Sequence, residues 1–228
     1  MNNAYNLDDV AFSYGTSQVL FLERIEIRPG EMVAVVGPNG SGKTTLLHLL
    51  AFVEPPSSGS IRFFGEECSA AKRLGFRRRV GLLTQNPYLF RGTVMDNVQW
   101  GLKIRGVTAA RRHELALEAL RSVGLAGFEA RRARELSGGE SQRTALARIL
   151  VLEPEVLLLD EPGNHLDRES VQLTERIVAN LNRKKGTTVI FVSHRASDVD
   201  SLAQRVLHLH QGRLDGNHAP ARLVPLAR

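Results

Sequence analysis

An α/β fold with a β-rich antiparallel edge and a helical insertion is predicted by three features of this 228-residue chain. VLLLD from Val156 and VIFVS from Val189 are continuous apolar runs, as central parallel strands covered on both faces require. Strand and helix patterns alternate from about residue 156 to the end. Between about residues 93 and 134 the strand pattern gives way to helical periodicity.

Taken in order, the first 36 residues read as strands: VAFSYG and RIEIRPGEMVAVVG alternate or run apolar, with a turn at Pro29-Gly30. GSIRFFG from Gly59 follows the breaker PPSSG as another short strand, and VGLLTQ from Val80 reads as a buried one. TVMDNVQWGLKIRG and TAARRHELALEALRSVG then open with Thr93 and Thr108 at N-cap positions. These lie in a helical insertion expected at about residues 86–135. After VLLLDEP come a helix from Arg168 to about Lys184, the strand TTVIFVSH, a short helix and RVLHLHQGRL. No internal repeat is evident. The chain is expected to form a single domain over residues 1–228, with residues 219–228 as an untethered tail.

Composition narrows the class. With 43% hydrophobic and 24% charged residues the chain is ordinary globular material. One cysteine, Cys68, permits no internal disulfide and no cysteine metal site, which points to a reducing compartment. No apolar run approaches the ~18 residues of a membrane span, and MNNAYNLDDV has no secretory-signal pattern. The net charge of +6 is scattered through RLGFRRRV, AARRHE and EARRARE, so solvated helix faces are expected and no nucleic-acid partner.

The chemistry concentrates at strand ends. Gly37, Pro38, Asn39, Gly40, Ser41, Gly42, Lys43 and Thr44, followed by Thr45, form the phosphate-loop pattern between an apolar strand and the helical run TTLLHLL. Glycines let backbone N–H groups wrap phosphates, and the helix N-terminus adds its positive end. Lys43 is expected on the β and γ phosphates and Thr44 on Mg²⁺. VLLLDEP places Asp160 and Glu161 at the carboxyl end of a buried strand, where open α/β sheets bind ligands. Asp160 suits the Mg²⁺ shell and Glu161 a general base for an attacking water; taken alone, the pair also suits a helix cap. Beyond the strand ends stand Gln85, as an Mg²⁺ ligand and γ-phosphate sensor or a plain polar terminus, and His194, as a γ-phosphate contact or a structural hydrogen bonder. Tyr14 is either a stacking platform for a base or a half-buried strand aromatic. A second anion cradle, LSGGE, places Ser137, Gly138, Gly139 and Glu140 before another helical run.

Together these residues resemble the ATP-binding cassette (ABC) ATPases. The set comprises Tyr14, the loop from Gly37, Gln85, LSGGE at 136–140, VLLLDEP, NHLD at 164–167 and His194, in that family's order and spacing. Glu140 stands where that family usually has Gln, and Gly163 where it has Ser or Thr. The resemblance implies a P-loop NTPase domain with a β-rich antiparallel subdomain and a helical signature subdomain, using ATP and Mg²⁺. It also implies a head-to-tail dimer: one subunit's phosphate loop holds an ATP on which the other's LSGGE closes, with Asp167 signalling between the two sites. That explains two cradles in one chain.

A single cassette without a membrane span is expected to dock on separate permease subunits, at the cytoplasmic face of the membrane. A substrate-binding protein would be an indirect partner. Residues 88–106, with Tyr88, Leu89, Phe90, Arg91, Trp100 and Lys103, are the expected docking segment; the alternative is that they pack the insertion's own core. The segment from Asn86 resembles importers of tungstate, molybdate and related oxyanions, with similarity also to phosphate and sulfate cassettes. Other substrates, an exporter, or soluble action on ribosomes or DNA are the competing readings. No C-terminal regulatory domain is expected after HLHQGRL.

Overall fold

The computed structural model describes residues 2–164 and 166–215. It divides into two compact units, one comprising Met1–Leu82, Glu155–Glu161 and Leu181–Arg228, the other Leu83–Pro154 and Pro162–Asn180. The helical insertion expected at about 86–135 falls inside the second unit, which also takes in the signature helix and the start of the helix after NHLD. The expected tail at 219–228 and His165 lie outside the described residues.

The first unit begins with β1 (Tyr5–Tyr14) and β2 (Ser17–Ile27), an antiparallel hairpin in which Tyr5 pairs with Ile27 and Tyr14 with Ser17. Burial alternates along β1, as a strand with one face on a core must. β4 (Ser58–Phe63) and β5 (Glu66–Glu67) complete a four-stranded sheet in the order β2-β1-β4-β5. β3 (Met32–Val36) leads into α1 (Lys43–Leu50). β6 (Val80–Leu83), β7 (Val156–Asp160), β8 (Thr188–Val192), β9 (Arg205–His210) and β10 (Arg213–Leu214) join β3 in a second sheet of order β10-β9-β3-β8-β7-β6. β9, β3, β8 and β7 are mutually parallel, and every residue of β7 and β8 is buried, which accounts for their uninterrupted apolar sequences.

One core joins the antiparallel sheet to α1 and to β3, β7 and β8. Tyr5, Phe52, Phe63 and Phe76 meet there with ring centroids 5.0–6.1 Å apart, and the Tyr5 hydroxyl donates to the Leu50 carbonyl at 2.8 Å. Phe76 arrives on α2 (Ala70–Arg77), a helix the sequence pattern did not reveal. Its only buried residue is Phe76 and it carries Gly75 inside, so it has neither an apolar stripe nor high propensity.

The second unit is helical. α3 (Val94–Ile104) has a capping box between Thr93 and Asp96; α4 (Ala109–Ser122) follows, and α5 (Gly138–Leu150) packs against both. α6 (Arg168–Lys185) starts in this unit and ends in the first, and α7 (Ala196–Leu202) belongs to the first. Among the described residues no helix is long and apolar enough to cross a membrane.

Candidate functional site

In the first unit the phosphate loop bridges β3 and α1, with Gly42 as the left-handed N-cap of α1 at φ 101°. A Cβ on Gly37 would stand 2.0 Å from the Leu209 carbonyl oxygen, so no side chain fits there; one on Gly42 would stand 2.6 Å from Leu20 Cδ2, at a φ that L side chains rarely adopt. The loop is thus gripped from two sides. Leu20 of β2 lies on one, and the turn after β9 on the other, where Gly212 donates its N–H to the Ser41 carbonyl at 3.0 Å. Pro38 accepts from the Ser41 N–H inside the loop, and Asn39 and Gly40 are exposed at its tip. Lys43 is buried and its ammonium donates to the Gly37 and Pro38 carbonyls, 2.9 Å each. Burial lowers its pKa, opposed by the carboxylates of Glu161 and Asp160. Thr45, also buried, continues α1.

The long-range geometry is at the carboxyl edge of β7 and β8. Thr44 Oγ1 donates to Asp160 Oδ2 at 2.9 Å across 116 residues of sequence. Burial raises the Asp160 pKa, and the Thr44 hydrogen bond counters it. A hydroxyl and a carboxylate side by side are hard oxygen donors suited to Mg²⁺, which is usually held by one or two carboxylates plus substrate phosphates. No group of three or more His, Cys, Asp or Glu that could hold a metal occurs among the described residues.

Glu161, one residue on, has φ 49°, a left-handed conformation that costs a non-glycine residue of order 1–3 kcal/mol. Its N–H donates to the Val192 carbonyl at 3.1 Å, which stitches the end of β7 to the end of β8. Its Oε1 lies 2.8 Å from His194 Nε2. The two functional candidates therefore meet, and His194 contacts the Glu161 carboxylate directly. Tyr14 closes β1 with 53% of its surface exposed and its ring edge-on to Phe12, so one face packs on the strand as in the alternative reading while the rest stays open to a stacking partner.

The remaining candidates belong to the second unit. Gln85 follows β6. Ser137 is the N-cap of α5, with Oγ accepting from the Glu140 N–H at 3.3 Å while the Glu140 carboxylate accepts from the Ser137 N–H at 2.7 Å. This capping box works with Glu as well as Gln, which rationalises the departure at 140. The Ser137 N–H holds the Glu140 carboxyl below its usual range. The N–H groups of Gly138 and Gly139 occupy the first two helical positions and have no partner inside α5. The helix cap is thus present, and it leaves at this helix start two N–H groups that an anion could use.

The two glycines differ. A Cβ on Gly138 would meet nothing within 4 Å, whereas one on Gly139 would stand 2.8 Å from Ser170 Oγ. Ser170 is bound by its Oγ and N–H to the Asp167 carboxylate at 2.9 and 2.8 Å, and its Oγ accepts from Arg143 Nη1 at 3.1 Å. Asp167, held below its usual pKa by the Ser170 N–H, is therefore linked to the signature through Ser170. Sequence reasoning missed Ser170; the pattern Asp-x-x-Ser at a helix start was its one signal.

On the same unit, Tyr88, Phe90, Trp100 and Ile104 are exposed apolar residues, with Phe90 ring centroids 6.1 Å from Tyr88 and 5.1 Å from Trp100. The insertion's own core is made instead by Val94, Val98, Leu102, Ala116 and Leu120. The alternative that the segment's aromatics fill that core does not hold for Trp100. Arg148 of α5 stacks on Phe90 at 5.0 Å and donates to the Tyr88 carbonyl at 2.9 Å.

The family model described as ABC transporter matches residues 23–164. This chain belongs to the ABC transporter family. It is 43% identical over 196 residues to the sulfate/thiosulfate import ATP-binding protein CysA 2 of Rhizobium meliloti, covering 84% of this chain and 53% of that protein. It is 33% identical over 202 residues to the tungstate uptake system ATP-binding protein TupC of Peptoclostridium acidaminophilum, covering 89% of this chain and 92% of that one. The chain spans about half the length of the sulfate relatives it matches. Among solved structures, it superposes on cbiO1 of Clostridium perfringens, part of the ABC transporter complex cbiONQ, with TM-score 0.86 and 27% identity over 95% of this chain and 88% of that one. The ABC cassette MJ0796, seen as a post-hydrolysis dimer with ADP and Pi, gives TM-score 0.84 and 26% identity over 96% and 99%.

Proposed function

We propose that this chain is the ATP-hydrolysing subunit of an importer, working as a head-to-tail dimer with ATP at its seam, and that its cargo is a tetrahedral oxyanion, tungstate first. The observation that carries the ATPase reading is the double pairing at one sheet edge, Thr44 with Asp160 and Glu161 with His194. Backbone N–H groups of the loop and Lys43 hold the phosphates, Thr44 and Asp160 hold Mg²⁺, and Tyr14 stacks on the base. Mg²⁺, when bound, neutralises charge developing on the phosphate oxygens. Glu161 takes the proton of the attacking water, and His194 holds Glu161 in place. Ser137, Gly138, Gly139 and Glu140 face the partner copy's ATP, and Asp167 links the two sites.

The oxyanion reading rests on the names of TupC and CysA, whose cargoes are both tetrahedral dianions. The exposed aromatic face of Tyr88, Phe90 and Trp100 supports docking on a permease at the cytoplasmic membrane surface. We treat residues 1–228 as one cassette with a helical subdomain inserted in it.

Purified protein should hydrolyse MgATP, and Glu161→Gln should bind ATP while losing roughly 10²–10⁴-fold in turnover. Wild-type turnover in that variant would remove Glu161 from the mechanism. The cargo is tested by reconstituting the permease and adding binding protein loaded with tungstate, molybdate, sulfate or phosphate. Stimulation by none of these would rule out the oxyanion assignment. Phe90→Ala with Arg91→Glu should abolish that stimulation and spare basal hydrolysis.

A further inference from the structure

We propose that Asp198 is a positioning residue for His194, and through it for the Glu161 carboxylate. This rests on the ATPase reading above. β8 ends at Val192 and α7 begins at Ala196, so His194 sits in the middle of a three-residue link, Ser193-His194-Arg195. A residue in such a link is ordered only against the conformational entropy of its backbone. Its imidazole is a poor anchor, since His194 is more exposed than the Glu161 it contacts, with side chains 39% and 16% exposed.

Asp198 supplies the order. It is 5% exposed, and Ser193 4%. Its Oδ2 accepts from Ser193 Oγ at 2.8 Å, and its Oδ1 stands 3.3 Å from Arg195 Nε and 3.2 Å from Ser197 Oγ. The Arg195 N–H in turn donates to Ser193 Oγ at 3.1 Å. Both chain neighbours of His194 are therefore tied to one buried carboxylate. On the other side, the Glu161 N–H is fastened to the Val192 carbonyl at 3.1 Å, so the two partners of the 2.8 Å His194–Glu161 contact are held from independent ends.

A helix cap would be the plainer role, but the geometry is wrong for it. Arg195, not Asp198, is the N-cap of α7, and the carboxylate's partners are the side chains of Ser193, Arg195 and Ser197 rather than backbone N–H groups. A satisfied buried network of this kind gives one geometry rather than several. Misplacing a catalytic group by about 1 Å can cost on the order of 10²-fold in rate.

The test compares wild type, His194→Ala, Asp198→Ala, Asp198→Asn, Ser193→Ala and the double variant Asp198→Ala/His194→Ala in steady-state MgATP hydrolysis, with melting curves alongside. Asp198→Ala should lower kcat about tenfold or more with KM for ATP within about twofold of wild type, the signature of lost transition-state geometry rather than lost binding. Asp198→Asn, which keeps an acceptor for Ser193, should recover part of that loss. The double variant should match His194→Ala within about twofold, because a positioning residue has nothing left to position. If Asp198→Ala does not fold, Ser193→Ala should show the same kcat-only loss, again absent in the His194→Ala background. Wild-type kcat in Asp198→Ala, or a double variant lower than His194→Ala by the full factor of Asp198→Ala, overturns the proposal and leaves the ATPase reading standing. A wild-type protein that does not hydrolyse ATP, or a fully active His194→Ala, overturns the ATPase mechanism itself and this proposal with it.

Discussion

Replacing Gly139 with Ala isolates the contact between the signature and Asp167. The added methyl would lie 2.8 Å from Ser170 Oγ and 3.4 Å from both Ser170 Cβ and Arg143 Nη1. Ser170 is 8% exposed and cannot swing into solvent, so relief comes only by displacing its hydroxyl. That hydroxyl holds two hydrogen bonds, one to Asp167 and one from Arg143. At about 1 kcal/mol net for each, their loss costs about 2 kcal/mol. Replacing glycine in a helix returns up to about 1 kcal/mol. The balance is about 1 kcal/mol of destabilisation, or a melting point lower by about 2–4 °C for a chain of this size. Gly138→Ala has the propensity gain and no neighbour within 4 Å, so it should melt at or above the wild-type temperature. Nucleotide-free thermal melts of the two variants, compared with urea titrations, decide the point. Equal melting points for the two alanine variants, or a stabilised Gly139→Ala, would refute the packing argument. ATP-driven dimerisation should fall in both, since each added methyl would stand beside N–H groups at the start of α5 that the partner's phosphates must approach closely.

Lys43→Ala should weaken nucleotide binding by the isolated subunit, because the loop loses its phosphate-pairing cation; unchanged affinity in a nucleotide titration would assign the binding to the backbone alone. Asp96→Asn should flatten the acid limb of stability. The Thr93 N–H, then its hydroxyl, hold the Asp96 carboxyl below its usual value, so its contribution is present above the ordinary aspartate range of about 3.9 and is lost as pH falls through the lowered value. Melts from neutral pH down to ~pH 3 should therefore converge for variant and wild type at the acid end, and parallel curves would show that the capping box carries no linkage.

The readable parts of this chain were those whose physics is local. The loop from Gly37 to Thr44 announces itself because its positive-φ positions, Gly37, Gly40 and Gly42, call for glycine and the lysine and hydroxyl at its end suit phosphate and cation. β7 and β8 are legible as unbroken apolar runs because both of their faces are covered. Thr93 and Ser137 as N-caps needed nothing beyond the next three residues. α2 was not legible because a single buried aromatic, Phe76, places it, and that aromatic is chosen by Tyr5, Phe52 and Phe63 from distant segments.

The sequence by itself determined the inventory: a phosphate loop, two carboxylates at a strand end, a second glycine cradle and a histidine beyond the last central strand. Only the tertiary structure decided which of these meet. Parallel pairing of β7 with β8 is what carries Glu161 to His194, and the left-handed turn at Glu161 aims its side chain there. The approach of the Leu209 carbonyl decides that Gly37 admits no side chain, and Leu20 and Ser170 set the cost of one at Gly42 and Gly139, while Gly138 remains open. Asp198 has no motif at all, because its role depends on burial and on three side chains folded around it. Such contacts depend on how elements far apart in the chain pack, and no local pattern of residue types encodes that distance.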